Sequence, residues 1–160
     1  MAEKVDRRIR KTKMQLRHGL ARLMQKKSIK EITVKELVDE VDINRSTFYL
    51  HYTDICQMLE KIEEEAMVDI REAMEGCPDD TSQRDQIKPF LARFFSILDS
   101  NRDLSIALLG PNGDMAFVER IEHLIANKFL VRKNFSQDRY EVRYAYAFCL
   151  NGCIGMIKAW

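Results

Sequence analysis

The sequence is poor in chain breakers, with three prolines and six glycines in 160 residues. An all-β chain needs turn residues at intervals of roughly 8 to 12 positions, which so few breakers cannot supply. Charge of one sign is also missing: 26 Lys and Arg face 25 Asp and Glu, a net +1, which argues against a polyanion-binding surface spread over the whole chain. No long hydrophobic run is present. The longest stretch without a charged residue, 144–157, contains Asn151 and falls short of the roughly 18 to 20 residues a membrane span requires. It is expected as a buried helix, with no membrane partner. Met1 to Lys13 is charged throughout and no apolar leader follows, so a cytoplasmic protein is expected. Cys56, Cys77, Cys149 and Cys153 form no CxxC pair and have no histidine at ligand spacing; no metal site or cofactor is expected, and the thiols are read as free in a reducing cytosol.

What is abundant is helix-forming: Leu, Ile, Met, Glu, Lys, Arg and Ala. Moreover, the near-zero charge hides a segregation. Residues 1–52 carry +6 and residues 53–160 carry −5, so a basic head precedes an acidic body, and only the head is suited to a polyanion. From Asp6 to about Lys27, Ile9, Leu16, Leu20 and Leu23 recur at helical spacing and are expected as core. Thr33-Val34-Lys35-Glu36 then reads as a capping box, in which the Thr33 hydroxyl accepts the N3 amide and Glu36 reaches back. The short helix it opens buries Val34, Leu37, Val38 and Val41 and ends near Val41. Asp42-Ile43-Asn44 is a turn, with Asp42 able to adopt a left-handed conformation and Asn44 capping a third helix from Arg45 to about His51. Two short helices joined in this way fit a helix-turn-helix. Burial of Ile43 and Phe48 leaves Arg45, Ser46, Thr47, Tyr49 and His51 facing outwards.

Beyond Thr53-Asp54, a cap, the stripe Ile55, Met58, Leu59, Ile62, Ala66, Ile70 and Ala73 predicts a long helix to Glu75, stopped by Gly76-Cys77-Pro78. Further helices are expected over about Arg84–Ser100, Leu104–Leu109, Asp114–Arg132 and from Gln137 to the end. The fold class is therefore all-α: a three-helix helix-turn-helix domain over 1–53 followed by a helical domain over 54–160.

The stretch from Ile32 to Val38 and from Ile43 through Arg45-Ser46-Thr47-Phe48-Tyr49-Leu50-His51-Tyr52 resembles the DNA-binding signature of the TetR/AcrR family of transcriptional regulators. The likeness is specific over about residues 7–62. Phe90-Leu91-Ala92-Arg93-Phe94-Phe95, Asn101-Arg102-Asp103 and Leu108 to Asp114 add weaker support from the body. The resemblance implies a homodimeric repressor that places two recognition helices in successive major grooves of double-stranded operator DNA and is released by a small-molecule effector. Carried across, Lys35 matches a second-helix position that often touches DNA, and Arg45 and Ser46 match base-facing positions. Thr47, Tyr49 and His51 match backbone or base contacts, and Thr33 matches a helix end that meets a phosphate. With Asn44 at the head of the third helix these form the expected DNA-binding set, which suits the residue chemistry: Arg reads guanine bidentately, hydroxyls and helix ends suit phosphate. The family often has a phosphate-gripping lysine where this chain has Ile55. Plainer roles stand beside these: Lys35 and Arg45 as solvated side chains, Tyr49 as a cap on the core, His51 as a cation favoured by a helix end.

Phe90, Phe94, Met115, Phe117, Tyr140 and Tyr144 are the expected lining of an apolar effector pocket, or else ordinary core. Gly152 and Gly155, with Cys149 and Cys153, make the last helix a close-packing surface for a dimer partner. The pattern is still helical at Trp160, so a final helix found in relatives is expected to be lacking. Cys149 and Cys153 are read as structural thiols. A coactivator that works by protein contact with little DNA binding is the alternative function. No nucleophile elbow, phosphate loop or HExxH accompanies His18, His51 and His123, so no catalytic residues and no enzymatic activity are expected.

Overall fold

The computed structural model describes residues 2–75 and 83–129 and the isolated positions 144, 151, 152 and 155. Among these there are helices and turns and no strand: α1 (Ala2–Met24), a 3-10 turn (Ile29–Glu31), α2 (Val34–Glu40), α3 (Arg45–Tyr49), α4 (Ile55–Glu75), α5 (Gln83–Ser100), α6 (Arg102–Leu109) and α7 (Met115–Phe129). No helix among the described residues is long and apolar enough to cross a membrane. Gly76 to Asp80, Cys77, Tyr140, Cys149 and Cys153 lie outside the described residues.

The chain divides into two compact units. The first comprises Met1–Glu64 and Asn101–Gly113; the second comprises Glu65–Ser100 and Asp114–Trp160. Residues 101–113 thus pack with the basic head although the 36 residues of Glu65–Ser100 separate the two stretches in the chain.

In the first unit α1 is the central element, packed against both α2 and α6. Leu16 and Leu20 are fully buried, with Leu23 and Met24 beside them. Ile9, expected as core, is 39% exposed. It lies seven residues before Leu16, roughly 10 Å further along the helix at 1.5 Å per residue, so the amphipathic pattern runs on beyond the buried segment. The helix also ends at Met24, short of Lys27. Its final carbonyl is taken up by a distant residue: the Asn112 side-chain amide donates to Met24 O at 3.0 Å, satisfying one of the acceptors that a helix end leaves open.

Gly19 sits buried within α1. A Cβ there would collide with Val41 Cγ1 and press on Leu37 Cδ1. Glycine in a helix interior costs roughly 1 kcal/mol relative to alanine, and here it permits the close approach of α1 and α2. The Arg22 Nε to Glu40 Oε1 pair, at 2.7 Å, crosses the same junction at the surface, where such pairs contribute about 0–1 kcal/mol.

In the second unit the described part of α5 buries Phe94 and Leu98, and α7 buries Phe117, Val118 and Ile121. The Arg120 guanidinium carbon lies 5.6 Å from the Phe117 ring centroid. The side chains of Ile87, Phe90 and Leu91 lie outside the described residues. The expectation of a buried helix over 144–157 is corrected at the positions that are described: Tyr144 is 69% exposed and Asn151, Gly152 and Gly155 are exposed. Among the described residues, and apart from their own helix backbone and chain neighbours, no atom stands within 4 Å of a Cβ built on Gly152 or Gly155.

Gly19→Ala is expected to lower stability by about 1–3 kcal/mol through overpacking against Val41, despite the gain in helix propensity. Urea unfolding checks this; an unchanged or raised midpoint would show that α2 moves aside freely.

Candidate nucleic-acid interface

The second and third helices are too short to be stable alone, and local bonds define their ends. At the start of α2, Glu36 N donates to Thr33 Oγ1 at 3.2 Å, while Thr33 N and Thr33 Oγ1 donate to Glu36 Oε2 at 3.0 and 2.8 Å. Lys27 Nζ donates to Glu36 Oε1 at 2.5 Å, tying the segment after α1 to this cap. Hydrogen bonds from Lys27 first, and from the Thr33 amide and hydroxyl next, hold the Glu36 carboxyl at a pKa of about 2. A preceding pair, Ser28 and Glu31, sets the 3-10 turn: Ser28 N donates to Glu31 Oε2 at 3.1 Å and Glu31 N to the Ser28 backbone oxygen at 3.0 Å. Its Ser-x-x-Glu spacing is legible in the sequence and gives the signal for the turn.

α2 ends as the sequence predicts. Asp42 has φ 54°, the left-handed conformation, and Ile43 N donates to Val38 O at 3.0 Å, the six-to-one bond of a Schellman-type ending. Asn44 then caps α3, its side-chain oxygen accepting Ser46 N at 3.1 Å. Phe48 has no exposed surface and packs edge-on to Tyr49 at 5.5 Å and tilted to Tyr52 at 5.7 Å between ring centroids. Ile43 is half-buried, less than expected. α3 ends at Tyr49 and not His51.

With Phe48 inward, α3 presents its other side chains outward. Asn44, Arg45 and Ser46 are exposed, Thr47 is half-buried and Tyr49 is 57% exposed. Lys35 and Thr33 are exposed on α2 and at its cap. His51 is half-buried just beyond α3, and burial, followed by the charge of Lys13, lowers its pKa. A cation favoured by a helix terminus would have the opposite shift. Leu50, not singled out from the sequence, is 79% exposed beside Tyr49. Ile55 is 5% exposed and belongs to the core. Asp54 opens α4, its Oδ1 accepting Gln57 N at 2.8 Å.

Of the expected effector-pocket residues, Phe94 and Phe117 are buried, while Met115 is 66% and Tyr144 69% exposed. Met115 is the first residue of α7, where no preceding helical turn covers it. The Phe90 side chain and Tyr140 lie outside the described residues. In the second unit a groove of about 340 Å³ is lined by Asp69, Glu72 and Ala73 of α4 and Arg93, Ser96 and Ile97 of α5. Each triplet has the i, i+3, i+4 spacing of one helix face, a signal the sequence carries without any aromatic residue. Cys56 is a free, exposed thiol. No group of side chains among the described residues is arranged to hold a metal ion.

A capped helix-turn-helix at the head of an all-helical chain defines the fold class, and comparison with known proteins shows what it is similar to. Residues 85–160 match the family model described as a transcriptional regulator C-terminal region, of the TetR type. The whole chain is similar in structure to a TetR transcriptional regulator from Streptococcus agalactiae 2603V, with a TM-score of 0.61 and 22% sequence identity, over 100% of this chain and 88% of that one. No curated protein matches the sequence. Residues 85–160 are thus similar to the C-terminal region of TetR-type transcriptional regulators, and the whole chain shares the fold of that solved structure.

Glu36 gives a pH dependence whose sign is fixed. Its folded pKa of about 2 lies below the ordinary 4.5, so its ionised form contributes stability that is present above 4.5 and is lost as pH falls towards 2. Glu36→Gln is expected to be less stable at neutral pH and to lose less on acidification. Urea midpoints of both proteins at neutral and acid pH check this, and parallel acid losses would contradict it.

Proposed function

We propose that the protein is a sequence-specific DNA-binding repressor that acts as a homodimer and is released by a small-molecule effector in the cytoplasm. The observation that carries this reading is the outward polar face of α3, held by the burial of Phe48 and the Asn44 cap. Residues 1–53 are the reader and residues 54–160 the effector and dimer region.

In this reading Arg45 and Ser46 meet base edges in the major groove, where a guanidinium can take both acceptors of a guanine. Thr47, Tyr49 and His51 bond backbone phosphates or base edges, and Lys35 adds a phosphate contact from α2. Asn44 serves as the cap and lies at the DNA-facing end of α3. Thr33 has both its donors engaged by Glu36 in the free protein, so its amide and hydroxyl reach a phosphate only by exchanging that partner. The +6 of residues 1–52 supplies the positive field and the −5 of the remainder favours keeping the body off the duplex.

A second copy is the partner proposed for the last helix, supported by the open space at Gly152 and Gly155 and the exposure of Tyr144. Two recognition helices then read half-sites about 34–36 Å apart. The effector acts by favouring a dimer in which that spacing is lost, with α4, which belongs partly to each unit, as the covalent connection. Phe90, Phe94, Met115, Phe117, Tyr140 and Tyr144 remain the proposed effector contacts.

Operator duplexes recovered by selection from random sequence test the reading. Binding is expected to weaken steeply with salt, the slope of log K against log salt growing by roughly 0.9 for each phosphate contacted. Arg45→Ala is expected to lose about 1–3 kcal/mol of discrimination at particular base pairs. Failure to enrich any duplex, together with capture of a stable protein partner, would favour the coactivator reading instead.

A further inference from the structure

No lysine or arginine occurs between Arg45 and Lys61, and the first turn of α4 offers only Ile55, Cys56, Gln57 and Met58. The next cation in the chain is nevertheless brought back to the end of α3. Lys61 Nζ donates to the backbone oxygen of His51 at 3.4 Å and stands 5.4 Å from the Tyr52 ring centroid. Tyr52 is 3% exposed and its ring packs on Phe48, so the platform under this ammonium is part of the core. Lys61 itself is exposed.

A lysine on a helix surface normally samples many rotamers, and fixing it on a ligand costs conformational entropy. Here the aromatic face and the carbonyl hold the ammonium in place before any ligand arrives. An ammonium has three donors, and His51 O uses one of them. A second cation acts on the same locality from another helix: the charge of Lys13 in α1 disfavours protonation of His51. Positive charge from α1 and α4 therefore gathers where α3 ends, next to Tyr49 and His51.

We infer that Lys61 is a backbone-phosphate contact of the DNA interface, a pre-positioned cation at the C-terminal end of the recognition helix. This rests on the DNA-binding reading above and adds to it a residue outside the helix-turn-helix. Phosphate contacts fix the register of a protein on the duplex and carry no base information. Lys61 accordingly sets affinity and orientation and leaves base preference to α3.

The test uses the full chain and mixed-sequence duplex DNA, because a phosphate contact needs no operator. Affinity is measured over a range of salt for the wild type, Lys61→Gln, Lys61→Met and Lys61→Arg, with thermal unfolding of each protein alongside. Lys61→Gln keeps a donor for His51 O, Lys61→Met keeps the contact with Tyr52, and both remove the charge. Each is expected to weaken binding at low salt and to reduce the salt slope by roughly 0.9 per chain, while Lys61→Arg retains the wild-type slope. An unchanged slope in both neutral variants, even with lowered affinity or a lowered melting temperature, would assign Lys61 to capping α3 alone and overturn the inference. A wild-type chain without salt-dependent binding would instead overturn the DNA-binding reading itself, and the Lys61 inference with it.

Discussion

A helix of five residues does not exist by its own propensity, since isolated helices shorter than roughly 12–15 residues are marginal in water. α3 has five, and the burial of Phe48 is what gives it a place. Fully burying such a side chain contributes about 1.5–3 kcal/mol, comparable with everything a single short helix lacks. Because Phe48 occupies the inward position, the residues two before and one after it, Ser46 and Tyr49, lie on other faces of the helix, and Arg45, in its first turn, is exposed. The outward face of α3 is thus a consequence of one apolar anchor, and the polar residues on it contribute little to holding it there.

The ends of the short elements depend on a different interaction, the reuse of one carboxylate. Glu36 completes the Thr33 cap and pairs with Lys27, so the same group starts α2 and fixes the chain leaving α1. Gly19 lets α2 lie close on α1, the left-handed Asp42 turns the chain and Asn44 restarts it. These local devices all favour the same arrangement, so α3 is positioned by agreement among several weak terms around one strong one. The agreement of local preference with tertiary packing is what gives a sequence a single well-defined fold.

Much of this was legible without coordinates. Thr33-x-x-Glu36, Asp42 and Asn44 are encoded by residues adjacent in sequence, and the stripe on α4 by simple periodicity, so each is found where expected. What was hidden depends on distant partners. Ile9 obeys the helical period, yet its exposure is decided by how far the packing partners of α1 extend. Residues 101–113 join the basic head through α6 and the bond from Asn112 to Met24, a pairing across 88 positions that no local pattern announces. Tyr144 looked like core because it opens an apolar run, and aromatic character alone could not separate Met115, which is exposed, from Phe117, which is buried. Within the candidate interface the outward set on α3 followed from placing Phe48 inside; the approach of Lys61 to His51 did not, because it requires α4 to run back past the end of α3.

The central claim is that this face of α3 meets duplex DNA. Its most direct test is to map backbone amide chemical shifts while a selected duplex is added to isotope-labelled protein. The account predicts that the largest changes fall on Lys35, on Asn44 through Tyr49 and on His51, with α7 little affected. Changes centred on α5 or α7 while α3 stays unperturbed would contradict it.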